Sequence, residues 1–295
     1  MSSVSLKFDY FLLCVLSLIW STAFLLIKIG VESVPPMTAT VIRLAIGAVV
    51  VTLIAFANGA KLPSSRRIWI VSIAVGLIGN AIPFSLIQWG EQTIDSGLAA
   101  LLMGIMPIVV VVLANFYTDE PLTKTRLTGV LIAFAGLTVL VGWDIVQQLG
   151  GDVVAQIAVL CAATCYAISA IYVRRQGELP MLSVAAGSLL TGGLILTPIA
   201  LWVEQPDLAA FTTDSLLAVF VLGLFQTGIA AIIYFRLIAN LGAAVFSQVN
   251  YIVPVLGLCW GIVLLGERPG WREGLALLTI LVGLYLVNRK KGNQA

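Results

Sequence analysis

The sequence predicts an all-α integral membrane protein with ten transmembrane helices, arranged as a five-plus-five repeat of inverted topology. Three observations predict it. The composition is too apolar for a soluble surface, the apolar residues fall into ten runs of spanning length, and residues of the first half recur 146 or 147 positions later.

Of the 295 residues, 60% are hydrophobic and 10% are charged. A soluble domain carries about 25% charged residues, because its surface faces water. The mean hydropathy is +1.07. These values exclude a disordered chain, a collagen, a disulfide-stapled secreted scaffold and a soluble enzyme. One bilayer-spanning helix takes about 20 apolar residues, so the apolar share suffices for roughly eight to ten spans. The net charge of +2 carries no nucleic-acid signature, since the basic residues sit in small clusters near span ends. There is no histidine, which removes the commonest metal ligand, general base and proton relay. No metal and no cofactor are expected. Cys14, Cys161, Cys165 and Cys259 all fall inside apolar runs and read as buried, inert thiols.

The first run, Tyr10–Ile29, is too long for the core of a signal peptide and lacks a strong basic start, so it reads as an uncleaved first helix. Nine runs follow: Met37–Ala57, Ile68–Gly90, Gly97–Tyr117, Leu127–Trp143, Val153–Val173, Met181–Val203, Ser215–Ile238, Ala243–Leu265 and Trp271–Asn288. Pro, Gly and charge separate them, as at Val34-Pro35-Pro36, Asp119-Glu120-Pro121 and Glu204-Gln205-Pro206. The short alternating segments of a porin-type barrel do not occur. With the N-terminus inside, the cytoplasmic segments hold 12 of the basic residues, Lys7, Arg66 and Arg174 among them, against Arg268 and Arg272 outside. That asymmetry predicts two cytoplasmic termini.

The halves match residue by residue. Pro107 pairs with Pro254, Glu120 with Glu267 and Gly136 with Gly283; Trp20 pairs with Tyr166 and Lys28 with Arg174. Two repeats follow, residues 1–147 and 148–295. Five is odd, so the second repeat enters the membrane from the other side, which is a transporter architecture with substrate near the midplane.

At this point the chain resembles the EamA-type transporters of the drug/metabolite transporter superfamily. The residues that carry the resemblance are Trp20-Ser21-Thr22-Ala23-Phe24, Arg43-Leu44, Pro107 followed by Glu120-Pro121-Leu122-Thr123, and Pro254 followed by Gly266-Glu267-Arg268. Within the superfamily it looks most like the YddG-type exporters of aromatic amino acids. The resemblance implies a polytopic inner-membrane protein working by alternating access. Small multidrug relatives carry a first-helix glutamate that binds cations and protons. Trp20, Ser21 and Thr22 stand there instead, so the resemblance does not extend to cationic drug efflux.

No Asp or Glu lies deep in any run; Asp9, Glu32, Glu91, Asp95 and Asp144 sit at the edges. Arg43 lies about 9 Å inside the second span. It can snorkel to the interface, pair with an edge carboxylate such as Glu91, or meet a substrate carboxylate. Lys28, nearer a span end, reads as snorkelling. Amides in hydrocarbon need partners and face the bundle interior. Gln88, Gln226, Gln248 and Asn250, with Tyr234 and Tyr251, are therefore candidate substrate-binding residues, against the alternative of helix–helix glue. Trp20, Trp89 and Tyr166 are a candidate aromatic lining, with Trp260 a weaker one. Pro83, Pro107, Gly228 and Pro254 are candidate hinges, and the Gly257–Gly261 pair would allow bending or close helix approach.

The sequence thus points to a secondary transporter or facilitator, not an enzyme. It would export small neutral or zwitterionic metabolites, foremost aromatic and hydrophobic amino acids. Its partners would be that small-molecule substrate and the lipid bilayer, as a monomer or an oligomer. The rivals are a carrier of a sugar or nucleoside, an intramembrane enzyme, and a channel. The enzyme is weakened by the missing histidine and deep carboxylates, the channel by the missing charged ring.

Overall fold

The computed structural model describes residues 3–60, 62–256 and 270–288, and among these every regular element is helical. Eight helices are long and apolar enough to cross a bilayer: α1 (Leu6–Gly30), α2 (Pro36–Ala57), α3 (Arg66–Gly90), α4 (Ser96–Tyr117), α5 (Lys124–Val141), α6 (Val153–Arg175), α7 (Met181–Glu204) and α8 (Thr213–Leu241). Two shorter apolar helices follow, α9 (Ala243–Leu256) and α10 (Trp271–Asn288). The ninth apolar run reaches past the described residues, so Cys259, Trp260, the Gly257–Gly261 pair and Gly266-Glu267-Arg268 lie outside them. The protein is a multi-pass membrane protein.

The helices begin where the local chemistry says they should. Pro36 occupies the first turn of α2, where a missing N–H costs nothing. Ser65, Thr123 and Asp152 accept from the N–H groups of Ile68, Arg126 and Ala155 and so cap α3, α5 and α6. The outer surface is apolar, with Leu194, Phe116 and Trp202 mostly exposed, as lipid contact requires. Cys14 and Cys161 are exposed on it and Cys165 is half-buried. This corrects the expectation of buried thiols: lipid is as good an apolar solvent as the bundle interior.

Several helices are broken near the middle. In α1 the chain turns at Ser21-Thr22, whose hydroxyls donate back to the carbonyls of Leu18 and Ile19 and compete with the helical ladder. In α3 and α8 the ladder widens into π-helical segments, Gly76–Ala81 and Leu222–Ile229. In α4 the break is at Gly104-Ile105, and in α9 at Ser247-Gln248. The candidate hinges fall at these places. Pro83 and Pro107 stand in the first turn just after a break, Gly228 lies inside the second π segment, and Pro254 follows the break in α9.

Most of the extensive helix pairings join one half of the chain to the other: α5 with α10, α2 with α7 and α8, α3 with α6 and α7, α4 with α6, and α1 with α8. The α5–α10 crossing is close because small residues face each other. A Cβ on Gly283 would stand 2.6 Å from the Gly129 carbonyl oxygen, and one on Gly136 2.9 Å from Ile280 N.

Charged residues tie helix ends at both faces. Lys28 Nζ donates to the carbonyls of Glu91 (2.8 Å) and Ile94 (3.2 Å), where α3 ends. These carbonyls at the helix end hold the ammonium in place. Its sequence counterpart Arg174 donates to the Ala239 carbonyl near the end of α8, and pairs with Asp119 at 3.0 Å. Arg236 and Asn240 both donate to Asp9. At the same end of the bundle as Lys28, the Glu204 carboxylate accepts from the N–H groups of Met37 and Thr38, capping α2.

Candidate functional site

The irregular midsections surround a cavity of about 130 Å3. That is about ten times the space one buried water needs, the scale of a small organic solute. Its lining comes from both halves. Trp20 and Phe24 enter from α1, Arg43 from α2, Asn80 and Phe84 from α3, Met106 from α4 and Tyr166 from α6. Gln226, Thr227 and Tyr234 enter from α8, and Phe246 and Asn250 from α9.

Aromatic edges and faces build one wall. The rings of Tyr234 and Phe246 meet edge-on at 5.0 Å, Trp20 meets Phe246 at 6.1 Å, and Phe84 lies 6.2 Å from Tyr166. Trp20 Nε1 donates to the Gln226 carbonyl at 3.1 Å. The Gln226 amide donates in return to Thr22 Oγ1 and the Ile19 carbonyl, both at the break of α1. Its oxygen is buried without a hydrogen-bond partner.

Arg43 is the one charged group in the lining among the described residues. It is 4% exposed. Its guanidinium stacks on the Phe84 ring at 4.2 Å and donates from Nη2 to Thr227 Oγ1 at 3.4 Å. Gly47, one turn further along α2, permits that approach: a Cβ there would stand 2.9 Å from Thr227 Cγ2. So the arginine neither snorkels nor pairs with Glu91. The stack on Phe84 holds it inside, and no ion pair joins it to a carboxylate within 4 Å among the described residues. Among the described residues no Asp or Glu lines the cavity.

Comparison with known proteins gives this geometry a context. The EamA-like transporter family matches the chain twice, over residues 7–142 and 153–289. The chain belongs to the EamA-like transporter family. As a family member it is a membrane transporter. Similar full-length relatives include the uncharacterized transporter YoaV of Bacillus subtilis, 26% identical over 92% of this chain and 93% of its own. Protein PagO of Salmonella typhimurium is 27% identical over 93% of this chain and 91% of its own. The uncharacterized inner membrane transporter YedA of Escherichia coli K12 is 27% identical over 94% of this chain and 89% of its own. A crystal structure shares the fold with a TM-score of 0.77 over 95% of this chain and 97% of its own, at 22% identity.

In this EamA-like transporter the structure divides the ten candidate binding residues. Trp20, Arg43, Tyr166, Gln226, Tyr234 and Asn250 come together on the cavity. Gln88, Trp89, Gln248 and Tyr251 do not. Gln88 is fully buried and donates to Thr40 Oγ1 and the Phe84 carbonyl, joining α3 to α2. Trp89 is 44% exposed on the outer surface. Gln248 accepts from Asn288 Nδ2 at 2.9 Å and ties α9 to α10. Tyr251 donates to the Val130 carbonyl and ties α9 to α5. For these last two and Gln88, the glue reading describes the geometry.

Phe84, Met106 and Phe246 were missed. They are apolar side chains, and in the sequence nothing distinguishes an apolar cavity wall from a lipid face. Thr227 was readable as the neighbour of Gln226, and Asn80 as an amide in mid-span.

Proposed function

We propose that this protein is a secondary transporter or facilitator that exports small neutral or zwitterionic metabolites, foremost aromatic and hydrophobic amino acids, by alternating access. One observation carries the reading: a mid-bundle cavity with aromatic walls, amide groups and, among the described residues, a single arginine and no lining carboxylate. Aromatic faces suit an apolar body, and amides suit the polar end. The lack of a lining acid disfavours permanent cations.

Alternating access needs two mutually inverted halves. The proposed halves are residues 1–147 and 148–295. The double family match supports the duplication, and so do the π segments, which fall at corresponding places in α3 and α8. The pairing of α1 with α8 is mirrored by α6 with α3, and that of α2 with α8 by α7 with α3. Lys28 and Arg174 bind the carbonyl ends of α3 and α8 in the same way. The basic bias favours both termini in the cytoplasm, and the relative YedA, named as an inner membrane protein, favours that membrane.

Proteoliposome flux tests the reading. Radiolabelled phenylalanine or tryptophan should enter in a saturable manner and be accelerated by the same amino acid on the trans side. Absence of counterflow for every amino acid, or chemical conversion of the solute, would refute it. Saturable ethidium efflux above a vector control would refute the selectivity.

A further inference from the structure

We infer that the cavity recognises its substrate first by a carboxylate docked on Arg43, and that an amino group is dispensable. The inference rests on the transport reading and widens its substrate class from zwitterions to monocarboxylate anions.

Two other arginines that join helices of the bundle hold carboxylates: Arg174 pairs with Asp119 and Arg236 with Asp9. Arg43 holds none within 4 Å among the described residues, although it is the most deeply placed of the three. Its Nε is buried without an acceptor. Its side-chain bond to Thr227 is long at 3.4 Å. Glu91 feels its charge, but one Glu91 oxygen accepts from Ser96 Oγ at 2.8 Å and neither is within ion-pair distance of the guanidinium.

An uncompensated buried cation is costly. The Phe84 stack covers one face of the guanidinium and not its donor edges, where Nη2 makes the long bond to Thr227 and the buried Nε has no acceptor. Those edges form a planar fork that matches a carboxylate's two oxygens. No such match exists for an ammonium group. The acceptors in the described lining are neutral, among them the unpartnered Gln226 amide oxygen. A neutral amide accepts from an ammonium, a hydroxyl or an amide alike, so it does not demand the amino group. The rest of the wall, Trp20, Tyr166 and Phe246, contacts an apolar body. The implied class is an aromatic or branched monocarboxylate, with or without an α-amino group.

Four ligands of one size separate the features: 3-phenylpropanoate, phenylalanine, phenethylamine and 3-phenylpropan-1-ol. Binding is read by ligand-induced thermal stabilisation of the purified full-length protein, and transport by competition with phenylalanine counterflow in proteoliposomes. The two acids should bind within about threefold of each other. The amine and the alcohol should bind at least about tenfold more weakly, the scale of one hydrogen bond to a charged group. Arg43→Gln should remove that preference and leave the alcohol unaffected, with Arg43→Lys in between. If Arg43→Gln does not fold, the wild-type ligand series decides alone. Equal or tighter binding of the amine or the alcohol would overturn the inference, as would stabilisation by none of the four. Carboxylate-selective binding without counterflow would instead support the docking site and overturn transport.

Discussion

Trp20 and Gln226 hold each other across the two halves of the chain. The indole Nε1 donates to the Gln226 backbone carbonyl at 3.1 Å, and the Gln226 side chain donates back to the Ile19 carbonyl beside the tryptophan. The carbonyl of Gln226 is available because it lies in the π segment of α8, where the ladder is irregular. The break of α1 at Ser21-Thr22 does the same for the glutamine's partner. Two local irregularities therefore build one long-range contact at the cavity wall.

Trp20→Phe keeps an aromatic face and deletes the donor. The expected loss is about 0.5–1.5 kcal/mol of stability, with apparent substrate affinity changed less than about threefold. Thermal unfolding beside counterflow kinetics measures both. A large affinity loss with full stability would show that the indole N–H serves the substrate.

Gln248 and Asn250 should behave oppositely on substitution. Gln248→Ala unties α9 from Asn288, so folded yield and thermal stability should fall while affinity holds. Asn250→Ala opens the cavity wall beside Met106, so affinity should fall by roughly five- to 150-fold if its amide meets the substrate. Equal affinity losses in the two variants would contradict the placement.

Glu120 caps α9 from a distance. Its oxygens accept from Ala243 N at 2.8 Å and Ala244 N at 3.1 Å, where Gly242 turns with φ +86° and leaves no room for a Cβ. Glu120→Ala should cost about 1–3 kcal/mol, because two buried N–H groups lose a charged acceptor. The neighbouring Asp119, whose side chain is 74% exposed, should cost under about 1 kcal/mol and lose even that in salt. Urea or thermal titrations of Glu120→Ala and Asp119→Ala compare them; equal effects would disprove the cap.

Glu91, in the turn after α3, carries a pH signature. Burial pushes its carboxyl up to about 8, against the opposing pull of Ser96, Lys28 and Arg43. Between the ordinary value of 4.5 and about 8 the folded protein keeps a proton that the unfolded chain releases. Stability therefore falls as pH rises through that window, and the cost is fully present above it. Glu91→Gln keeps a partner for Ser96 and cannot ionise. Its melting temperature relative to wild type should climb from about pH 5 to about pH 9. A difference that stays flat with pH would sink this account.

The orientation is testable with single cysteines near Arg66 and near Asp207 in a cysteine-free background. An impermeant maleimide added to intact cells should label the second and spare the first. The reverse pattern would invert the topology.

The apolar runs, their breaks and the matched residues of the two halves were legible in the chain because each is a one-dimensional property. Length, composition and spacing need no neighbour, and the helices observed start and stop within a few residues of the runs. Which side of each helix meets the cavity was not legible. In water an amphipathic stripe marks the inward face, but lipid and protein interior are equally apolar, so the stripe is missing. Gln248 and Asn250 are two residues apart, hence about 200° apart around a helix, and only packing decides which one reaches the cavity and which one reaches Asn288. The π segments rotate α3 and α8 further from a regular register, which is why Gln88 and Trp89 left the site and Asn80 and Phe84 entered it. Arg43 shows both halves of the lesson. Its charge in the membrane announced it in the sequence, and its lack of a carboxylate partner among the described residues is a fact of the tertiary structure, because that depends on where the nine other helices place their side chains.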